Sequence, residues 1–226
     1  MITIEKVDLS SKSQVDSFVN FQYDLYKGEK NFCPPFISDM KLMLNKKKHP
    51  FYEHSDADFF IASRDGRDVG RIAALENKHF NEYQGKHQAQ FYLFECEDDQ
   101  EVANALFNRA FEWAKARGLD HVVGPKGFSG FDGYGIQVEG YEHRQMMSMM
   151  NYNYPYYVKL VENYGFTKEV DFVSCYLARN AFRLPDRVHR IVDRVIKRGD
   201  FAVVNFRTKK ELRSWANRIG KAYNDT

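Results

Sequence analysis

An acidic segment at a strand-to-helix junction is the first place where this sequence could do chemistry. The apolar run Phe91-Tyr92-Leu93-Phe94 predicts a buried strand, and Glu95-Cys96-Glu97-Asp98-Asp99-Gln100-Glu101 follows it, just before a helical pattern. Free N–H groups and the helix dipole make such a junction a favourable place to bind a phosphate. This junction, however, has no glycine and carries five carboxylates. Its position predicts an enzyme site, whereas its charge favours a cationic substrate or no ligand at all.

A purely structural interpretation of the acidic segment is also available. In it Asp98 is the helix N-cap, and Asp99 and Glu101 each stabilise the helix dipole by about 0.3–1 kcal/mol. A metal ion shared by Glu95, Glu97 and Asp98 is disfavoured, because successive side chains of a strand point to opposite faces. Neighbouring carboxylates raise the pKa of the Cys96 thiol, so we interpret Cys96 as structural.

Polar aromatic residues are densest in the segment Asn151-Tyr152-Asn153-Tyr154-Pro155-Tyr156-Tyr157. At a loop-to-helix junction, Asn153 could orient an acyl group, Tyr152 could contact a substrate and a tyrosine hydroxyl could donate a proton. Tyr157 is the first candidate for that donor and Tyr156 the second. In the alternative interpretation, these tyrosines pack a helix against a sheet and their hydroxyls hydrogen-bond at its rim.

A glycine-rich loop, residues 124–140, contributes two further candidates. Ser129 and Asp132 are among its few polar side chains, and a loop after a strand end is a common place for substrate contacts. We therefore predict that both contact the substrate. The sequence contains no Gly-x-Ser-x-Gly motif, so a serine hydrolase is not indicated.

The composition predicts a folded globular chain in a reducing compartment. The 226 residues are 43% hydrophobic and 15% aromatic, enough for one good core or for one domain and part of another. No apolar run reaches membrane-spanning length, and the N-terminus lacks the pattern of a signal peptide. Three dispersed cysteines argue against disulfides and a zinc site, so we predict no metal and a cytoplasmic location. An oligomer remains open.

Hydrophobic periodicity supplies the elements that must position these candidates. An Asp65-Gly66 pair predicts a hairpin, and a double proline at 34–35 predicts a loop. Ser13 with Asp16 predicts the start of the first helix. The predicted strands are 2–7, 57–63, 68–75, 88–94, 121–123 and 168–177, and the predicted helices begin near 14, 37, 98 and 152.

The sequence changes character after residue 178. From Arg179 onward it has 13 Lys or Arg against 5 Asp or Glu, a balance of +8, whereas the preceding part has a balance of −6. Pro185 precedes a predicted helix 186–198, a strand 201–207 and a helix 208–222. This order is similar to the N-terminal strand and helix. We therefore predict a domain at 1–178, and at 179–226 the start of a second, similar half that a longer protein would continue.

Over residues 1–178 the order of elements resembles the GNAT (GCN5-related) N-acetyltransferase superfamily, and the details resemble a bacterial family of two-part GNAT-like proteins. The resemblance implies an α/β (α+β) fold, in which helices flank a mixed central sheet. It rests on these pieces: Gly124-Pro125, Gly127-Phe128, Val138-Glu139-Gly140-Tyr141, Asn153-Tyr154-Pro155-Tyr156-Tyr157, Gly165-Phe166 and the tail from Pro185.

The resemblance also implies a cofactor, acetyl-CoA or another acyl-CoA. In the superfamily a turn Gln/Arg-x-x-Gly-x-Gly/Ala wraps the pyrophosphate, and its key positions fall here on Asp98, Glu101 and Ala103. Ala103 fits that pattern, while Asp98 and Glu101 depart from it. A tyrosine that protonates the leaving thiolate in many members is replaced here by Val161.

Three functions are therefore carried forward from the sequence. In the first, the chain moves an acyl group from a CoA-like thioester to the amine of a small molecule or peptide. Backbone N–H groups near Leu93, Phe94 and Glu95 would hold the thioester carbonyl, Glu95 would take the amine proton, and Tyr157 or Tyr156 would protonate the sulfur. The second function is a non-catalytic GNAT-like binding module that no longer uses acyl-CoA. The third is nucleic-acid association through the basic C-terminal segment, which we rank last because its charges are spaced as on a solvated helix face.

Overall fold

The chain forms two compact units, each of which is described by itself. The computed structural model describes residues 1–145, 150–178, 180, 182–199, 201 and 203–225. The first unit spans Met1–Phe172 and the second spans Val173–Thr226. That the second unit begins another GNAT-like half stays a prediction.

The first unit is built around one mixed sheet. Its elements are β1 (Ile2–Lys6), α1 (Lys12–Leu25), α2 (Ile37–Met43), β2 (Asp56–Arg64), β3 (Arg67–Glu76), α3 (Lys78–Gln84), β4 (Gln88–Cys96), α4 (Gln100–Lys115), β5 (His121–Val123) and α5 (Tyr157–Tyr164). A 3₁₀ turn at Pro50–Glu53 precedes β2. Within the described residues the strands lie in the order β1-β2-β3-β4-β5. The first four are antiparallel, and β5 pairs with β4 in parallel.

The β2–β3 hairpin follows the prediction made from its turn. Asp65 and Gly66 connect the two strands, and their φ angles are +53° and +78°. A two-residue hairpin turn of this kind needs positive φ at both central positions, which Asp-Gly tolerates well. The sequence signal was therefore sufficient to fix this connection.

Two apolar layers cover the sheet, one on each face. On one face α4 and α5 contribute buried side chains such as Leu106, Phe107 and Leu160. On the other face the layer includes Phe18 and Val19 of α1 and Met40 of α2. This helix–sheet–helix arrangement places the C-terminal ends of α1 and β4 near the N-terminal start of α5.

Several predicted helix starts differ from the observed ones. The first helix is capped by Ser11, whose hydroxyl accepts from the Gln14 N–H, so the predicted cap at Ser13 is wrong. Asp16 instead forms an ion pair with Lys41 on α2. The helix predicted from 152 begins at Tyr157, so Pro155 lies before it. Helix α3, capped by Asn77, was not predicted.

The strands predicted at 168–177 and 201–207 are wrong for the residues that the structure describes. Val170, Phe172 and Val173 have high strand propensity, but the described residues of both segments are almost all exposed and have no neighbouring strand. A strand needs a partner for its N–H and C=O groups, which local propensity does not supply.

In the part of the second unit that the structure describes, the chain forms helices separated by segments without helix or strand. The helices of the second unit are α6 (Asp186–Arg198), α7 (Lys209–Ser214) and α8 (Ala216–Asn224). The predicted helix 208–222 is interrupted at Trp215, which ends α7 and begins α8.

None of the helices in either unit's described ranges is long and apolar enough to cross a membrane.

Candidate functional site

A bulge in the middle of β4 is the feature that organises the site. Arg71 pairs with Glu95 and Ala73 pairs with Tyr92, so two residues of β4, Leu93 and Phe94, lie opposite the single residue Ile72 of β3. Leu93 has a φ of +51°, which is uncommon for a residue with a side chain. Bulges of this kind redirect side chains and are frequent beside active sites.

Beyond the bulge, the Glu95 carboxylate is held in a buried hydrogen-bond network. Its Oε2 accepts from the hydroxyls of Tyr26 and Tyr157, each at 2.7 Å. The Tyr157 hydroxyl in turn accepts from the Cys96 N–H at 3.0 Å. The side chain of Arg71 approaches the other oxygen, with its Nη2 3.9 Å from Oε1. The network therefore joins the end of α1, two neighbouring strands and the start of α5.

Burial controls the protonation of this network. It raises the pKa of Glu95, while Arg71 and the two tyrosine hydroxyls act in the opposite direction. Burial and the nearby Glu95 charge hold the pKa of Tyr26 and of Tyr157 well above their ordinary value. Both tyrosines consequently stay protonated and donate, and Glu95 is poised to exchange a proton closer to neutral pH than an exposed carboxylate.

A cavity of about 310 Å³ opens beside Glu95. Asp39, Glu95 and Asp132 line it, and its described lining contains no lysine or arginine. Apolar side chains complete the wall, among them Met40 and Phe131. An acidic cavity with apolar walls favours a cationic ligand that also carries hydrocarbon.

The cavity brings together more than half of the predicted site residues. The predicted residues that line it are Leu93, Phe94, Glu95, Asp132, Tyr152, Asn153 and Tyr157. Ser129 and Tyr156 are not among the lining residues. The Tyr156 hydroxyl donates to the Cys96 carbonyl at 2.7 Å. The two candidate proton donors thus differ, since of the two only Tyr157 reaches both Glu95 and the cavity.

Two of the predicted site residues, Asn153 for the acyl group and Asp132 for the substrate, are also part of the loop's own structure. Asn153 accepts from the Gln137 N–H at 2.7 Å and donates to the Gln137 carbonyl at 3.1 Å. Asp132 accepts from the Ser129 N–H at 2.7 Å, which closes a turn. These contacts order the loop that forms one wall of the cavity.

The N-terminus of α4, the expected position of a pyrophosphate, is occupied by the chain itself. Asp99, and not Asp98, is the N-cap, and its carboxylate accepts from the N–H groups of Glu101 and Val102 at 2.9 and 3.2 Å. Arg64 donates to the same carboxylate at 2.6 Å. The Ala103 N–H bonds to the Asp99 carbonyl. The prediction of Asp98 as the cap is wrong. The N–H groups of Glu101 and Val102 already have a negatively charged partner in the Asp99 carboxylate.

We expect Asp99→Ala to lower the free energy of unfolding by about 1–2 kcal/mol, because it removes the N-cap and leaves Arg64 without this partner. Asp98→Ala is the matched control, since Asp98 is the neighbouring acidic residue and is exposed. Its expected effect is within about 0.5 kcal/mol. Urea unfolding of both variants measures the difference, and equal losses would mean that the cap is not at Asp99.

Sequence reasoning missed three residues of the site. Tyr26 is the C-cap of α1, and its position in an apolar helix pattern gives no local sign of a functional role. Arg71 interrupts the apolar run of β3, and a charge in such a run was a usable signal. His49 lines the cavity, and burial lowers its pKa although Asp132 opposes this. Its Nδ1 accepts from the Phe51 N–H, so the neutral ring donates through Nε2.

Cys96 has the environment that the sequence indicated. Its side chain is fully buried, and burial together with the Asp99 and Glu97 charges raises the pKa of the thiol. A buried thiol with a raised pKa is a poor nucleophile. Cys96 therefore packs in the apolar layer beneath α4.

Comparison with known proteins adds relatives that are longer than this chain. No family model matches the chain. It is 30% identical over 194 residues to a bacterial ceramide synthase from Caulobacter vibrioides, covering 85% of the chain and 49% of that protein. It is 26% identical over 195 residues to the Escherichia coli protein YghO, covering 86% of the chain and 50% of that protein. The chain thus spans about half the length of the curated relatives it matches.

Among solved structures, the chain is similar to an aminoglycoside acetyltransferase from an uncultured soil metagenomic sample, in complex with sisomicin. The TM-score is 0.50 at 14% sequence identity, and the match covers 78% of this chain and 95% of that one. The order of elements, the mixed sheet and the flanking helices agree with the architecture expected from the sequence motifs. The chain therefore has the fold of the GNAT-like N-acyltransferase superfamily.

Proposed function

We propose that this chain carries the active site of a GNAT-type N-acyltransferase, which moves an acyl group from a CoA-like thioester to an amine. One observation carries the proposal: Glu95, whose pKa is raised by burial, lies at a cavity and shares a 2.7 Å hydrogen bond with Tyr157. A base and a proton donor in contact, beside a strand bulge, are the groups that aminolysis of a thioester needs.

The fit of an acyl-CoA differs between its two ends. The cavity beside Leu93, Phe94 and Glu95 has room for the reacting thioester and amine groups. The start of α4 does not fit a pyrophosphate in the usual way, because Asp99 already accepts from its N–H groups. Bound acyl-CoA would supply an activated acyl carbon and a thiolate leaving group. Its phosphates would have to be held by residues other than Asp98, Glu101 and Ala103.

In the proposed mechanism the proton balance is closed by two side chains. The amine attacks in its neutral form, after its ammonium form has released one proton to solvent, and Glu95 takes the second proton, directly or through water, as the new C–N bond forms. Tyr157 donates its proton to the sulfur as the C–S bond breaks, because its own raised pKa prevents earlier loss. The proton on Glu95 Oε1 then returns through water in the cavity to the Tyr157 oxygen, because the hydrogen bond between the two residues lies at Oε2. One proton has moved from nitrogen to sulfur, and both side chains return to their starting states.

We further propose a long-chain amino alcohol as the acceptor. The name of the Caulobacter relative supports this choice, since a ceramide is the N-acyl derivative of such an amine. The cavity is compatible with it, because Asp39 and Asp132 favour an ammonium group while Met40 and Phe131 offer apolar contact. The free cysteines Cys33, Cys96 and Cys175 support a reducing, cytoplasmic location for the reaction.

The test is amide formation by the full chain. We expect an N-acyl product, detected by mass spectrometry, when acetyl-CoA or hexadecanoyl-CoA is incubated with a long-chain 2-amino alcohol. Tyr157→Phe should reduce turnover about tenfold or more with little change in KM, because it removes the proton donor. Tyr156→Phe should cost less, and Tyr83→Phe, at an exposed tyrosine, should cost nothing. A larger loss at Tyr156 than at Tyr157 would reverse their assignment.

A binding module without catalysis is the second candidate, and the capped start of α4 is the observation that favours it. The same assay separates the two functions. The absence of amide product overturns the acyltransferase proposal, and the absence of calorimetric thioester binding as well supports a module that no longer uses acyl-CoA.

A further inference from the structure

A fully buried arginine lies directly behind the proposed base. Arg71 is 0% exposed and sits on β3 in register with Glu95 on β4. Removing a cation from water costs several kcal/mol, and an apolar side chain of similar volume usually serves the fold as well or better. Packing alone therefore does not explain why an arginine occupies this buried position.

The guanidinium group is anchored to α1 by several contacts. Its Nη1 donates to the Phe18 carbonyl at 2.7 Å and, at 3.4 Å, to that of Val19. Its Nη2 donates to the Gln22 side chain at 2.6 Å. The Phe18 ring lies 5.1 Å from Cζ. These contacts fix the cation in place, so its distance from Glu95 does not depend on a flexible side chain.

The two oxygens of Glu95 have different partners as a result. Oε2 accepts from Tyr26 and Tyr157. Oε1 accepts no hydrogen bond from the described part of the chain and has the Arg71 cation 3.9 Å away. Oε1 is thus the oxygen left for an incoming proton, and the cation stabilises its negative charge before that proton arrives.

We propose that Arg71 is a positioning residue that keeps Glu95 ionised and aimed at the cavity, and thereby sets the pH range in which the site can deprotonate an amine. The proposal rests on the proposed function for its catalytic meaning. The titratable groups coupled to Glu95 are Arg71 from β3, Tyr26 from the end of α1, Tyr157 from α5, Tyr156 just before α5, and Tyr92 and Cys96 on its own strand. Of these, Arg71 is the cation, so its removal leaves burial unopposed by any positive charge among them.

The experiment follows the ionisation of Glu95 directly, by infrared difference spectroscopy of its carboxyl band. Glu95→Gln provides the reference spectrum. In Arg71→Met we expect the midpoint of Glu95 ionisation to move to higher pH, and Arg71→Lys should restore part of the wild-type value. An unchanged midpoint in folded Arg71→Met would overturn the proposal.

The pH dependence of the acyl-transfer rate is a second test of the role proposed for Arg71. Activity should rise with pH as Glu95 loses its proton. In Arg71→Met this rise should move to higher pH, with about a tenfold loss at neutral pH that alkaline buffer recovers. A merely structural role for Arg71 would lower the rate equally at every pH, and that result would contradict the proposal. If the wild type forms no amide, the proposed function fails, while the infrared titration still tests Arg71.

Failure of Arg71→Met to fold would also be informative. The double variant Arg71→Met, Glu95→Gln has neither charge. It should fold if the task of Arg71 is to support the Glu95 charge, because removing both members of a buried pair is tolerated better than removing one. If the double variant fails to fold as well, Arg71 serves the fold and the proposal is overturned.

Discussion

Glu95→Gln is expected to reduce acyl transfer by about 10²- to 10⁴-fold, the contribution typical of a positioned general base. Glutamine has nearly the same shape as glutamate, and its amide oxygen can still accept from Tyr26 and Tyr157. It cannot take a proton from the attacking amine. The loss should therefore appear in turnover, with a much smaller effect on KM.

The measurement is the rate of amide formation at saturating thioester and amine. Glu112→Gln is the matched control, because it makes the same chemical change on the exposed face of α4, away from the cavity. Its rate should equal that of the wild type. Thermal unfolding of both variants shows whether the folded fraction is comparable. A Glu95→Gln protein with wild-type turnover would remove Glu95 from the mechanism.

The largest effect on stability is expected at Asp58, whose replacement by alanine should lower the free energy of unfolding by about 3 kcal/mol or more. Asp58 is buried on β2 and joins three elements. It accepts from Lys6 at 2.9 Å, from Lys46 at 3.1 Å and from the Trp113 indole at 2.9 Å. Arg117 lies 3.4 Å away. Alanine would leave these donors without their common acceptor.

The pH dependence of stability tests the same site. Burial raises the pKa of Asp58, but the hydrogen bonds from Lys6 and Trp113 and the Lys46 charge outweigh it and hold the pKa below its ordinary value. The folded pKa is thus lower than the unfolded one, about 3.9. This contribution is complete above the unfolded pKa and is lost as the pH falls through the folded pKa.

Asp56→Ala is the matched control for Asp58→Ala. Asp56 also contacts Lys46 and Arg117, but its side chain is 37% exposed. Exposed ion pairs contribute about 0–1 kcal/mol, so the loss should be small. Urea unfolding at neutral and acidic pH should show a large difference between the two variants that narrows in acid. Equal losses at neutral pH would contradict the role assigned to Asp58.

The sequence suggests candidate residues for the site more readily than it suggests their contacts. Glu95 and Tyr157 could be chosen from their residue types and positions, yet the hydrogen bond between them joins segments 62 residues apart. It forms because β4 bulges at Leu93, and no local signal in the apolar run of β4 predicts that bulge. Tyr26 likewise has no local signal of its role. Arg71 does interrupt an apolar run, but its contact with Glu95 exists only once β3 and β4 are assembled.

Local sequence signals predicted the structure correctly where it depends on contacts within a few residues, as in tight turns. The Asp65-Gly66 turn is such a case, because two positive φ angles are required and two suitable residues are present. The start of α4 shows the limit of this approach. Asp98 and Asp99 are equivalent in sequence, and tertiary contact with Arg64 accompanies the choice of Asp99. Strand propensity at 168–177 failed because this segment has no neighbouring strand among the residues that the structure describes.

The bulge in β4 has a consequence for how the chain selects its fold. A regular strand with the same residues would continue the alternation begun at Tyr92. It would turn Glu95 toward the apolar layer beneath α4, where Phe107 lies, and would move Phe94 out of that layer. That competing register buries a carboxylate away from Arg71, whose guanidinium is anchored to α1 on the opposite face of the sheet. Glu95 therefore acts against a misfolded alternative as well as in the site, and a neutral residue at this position would narrow the energy gap between the two registers.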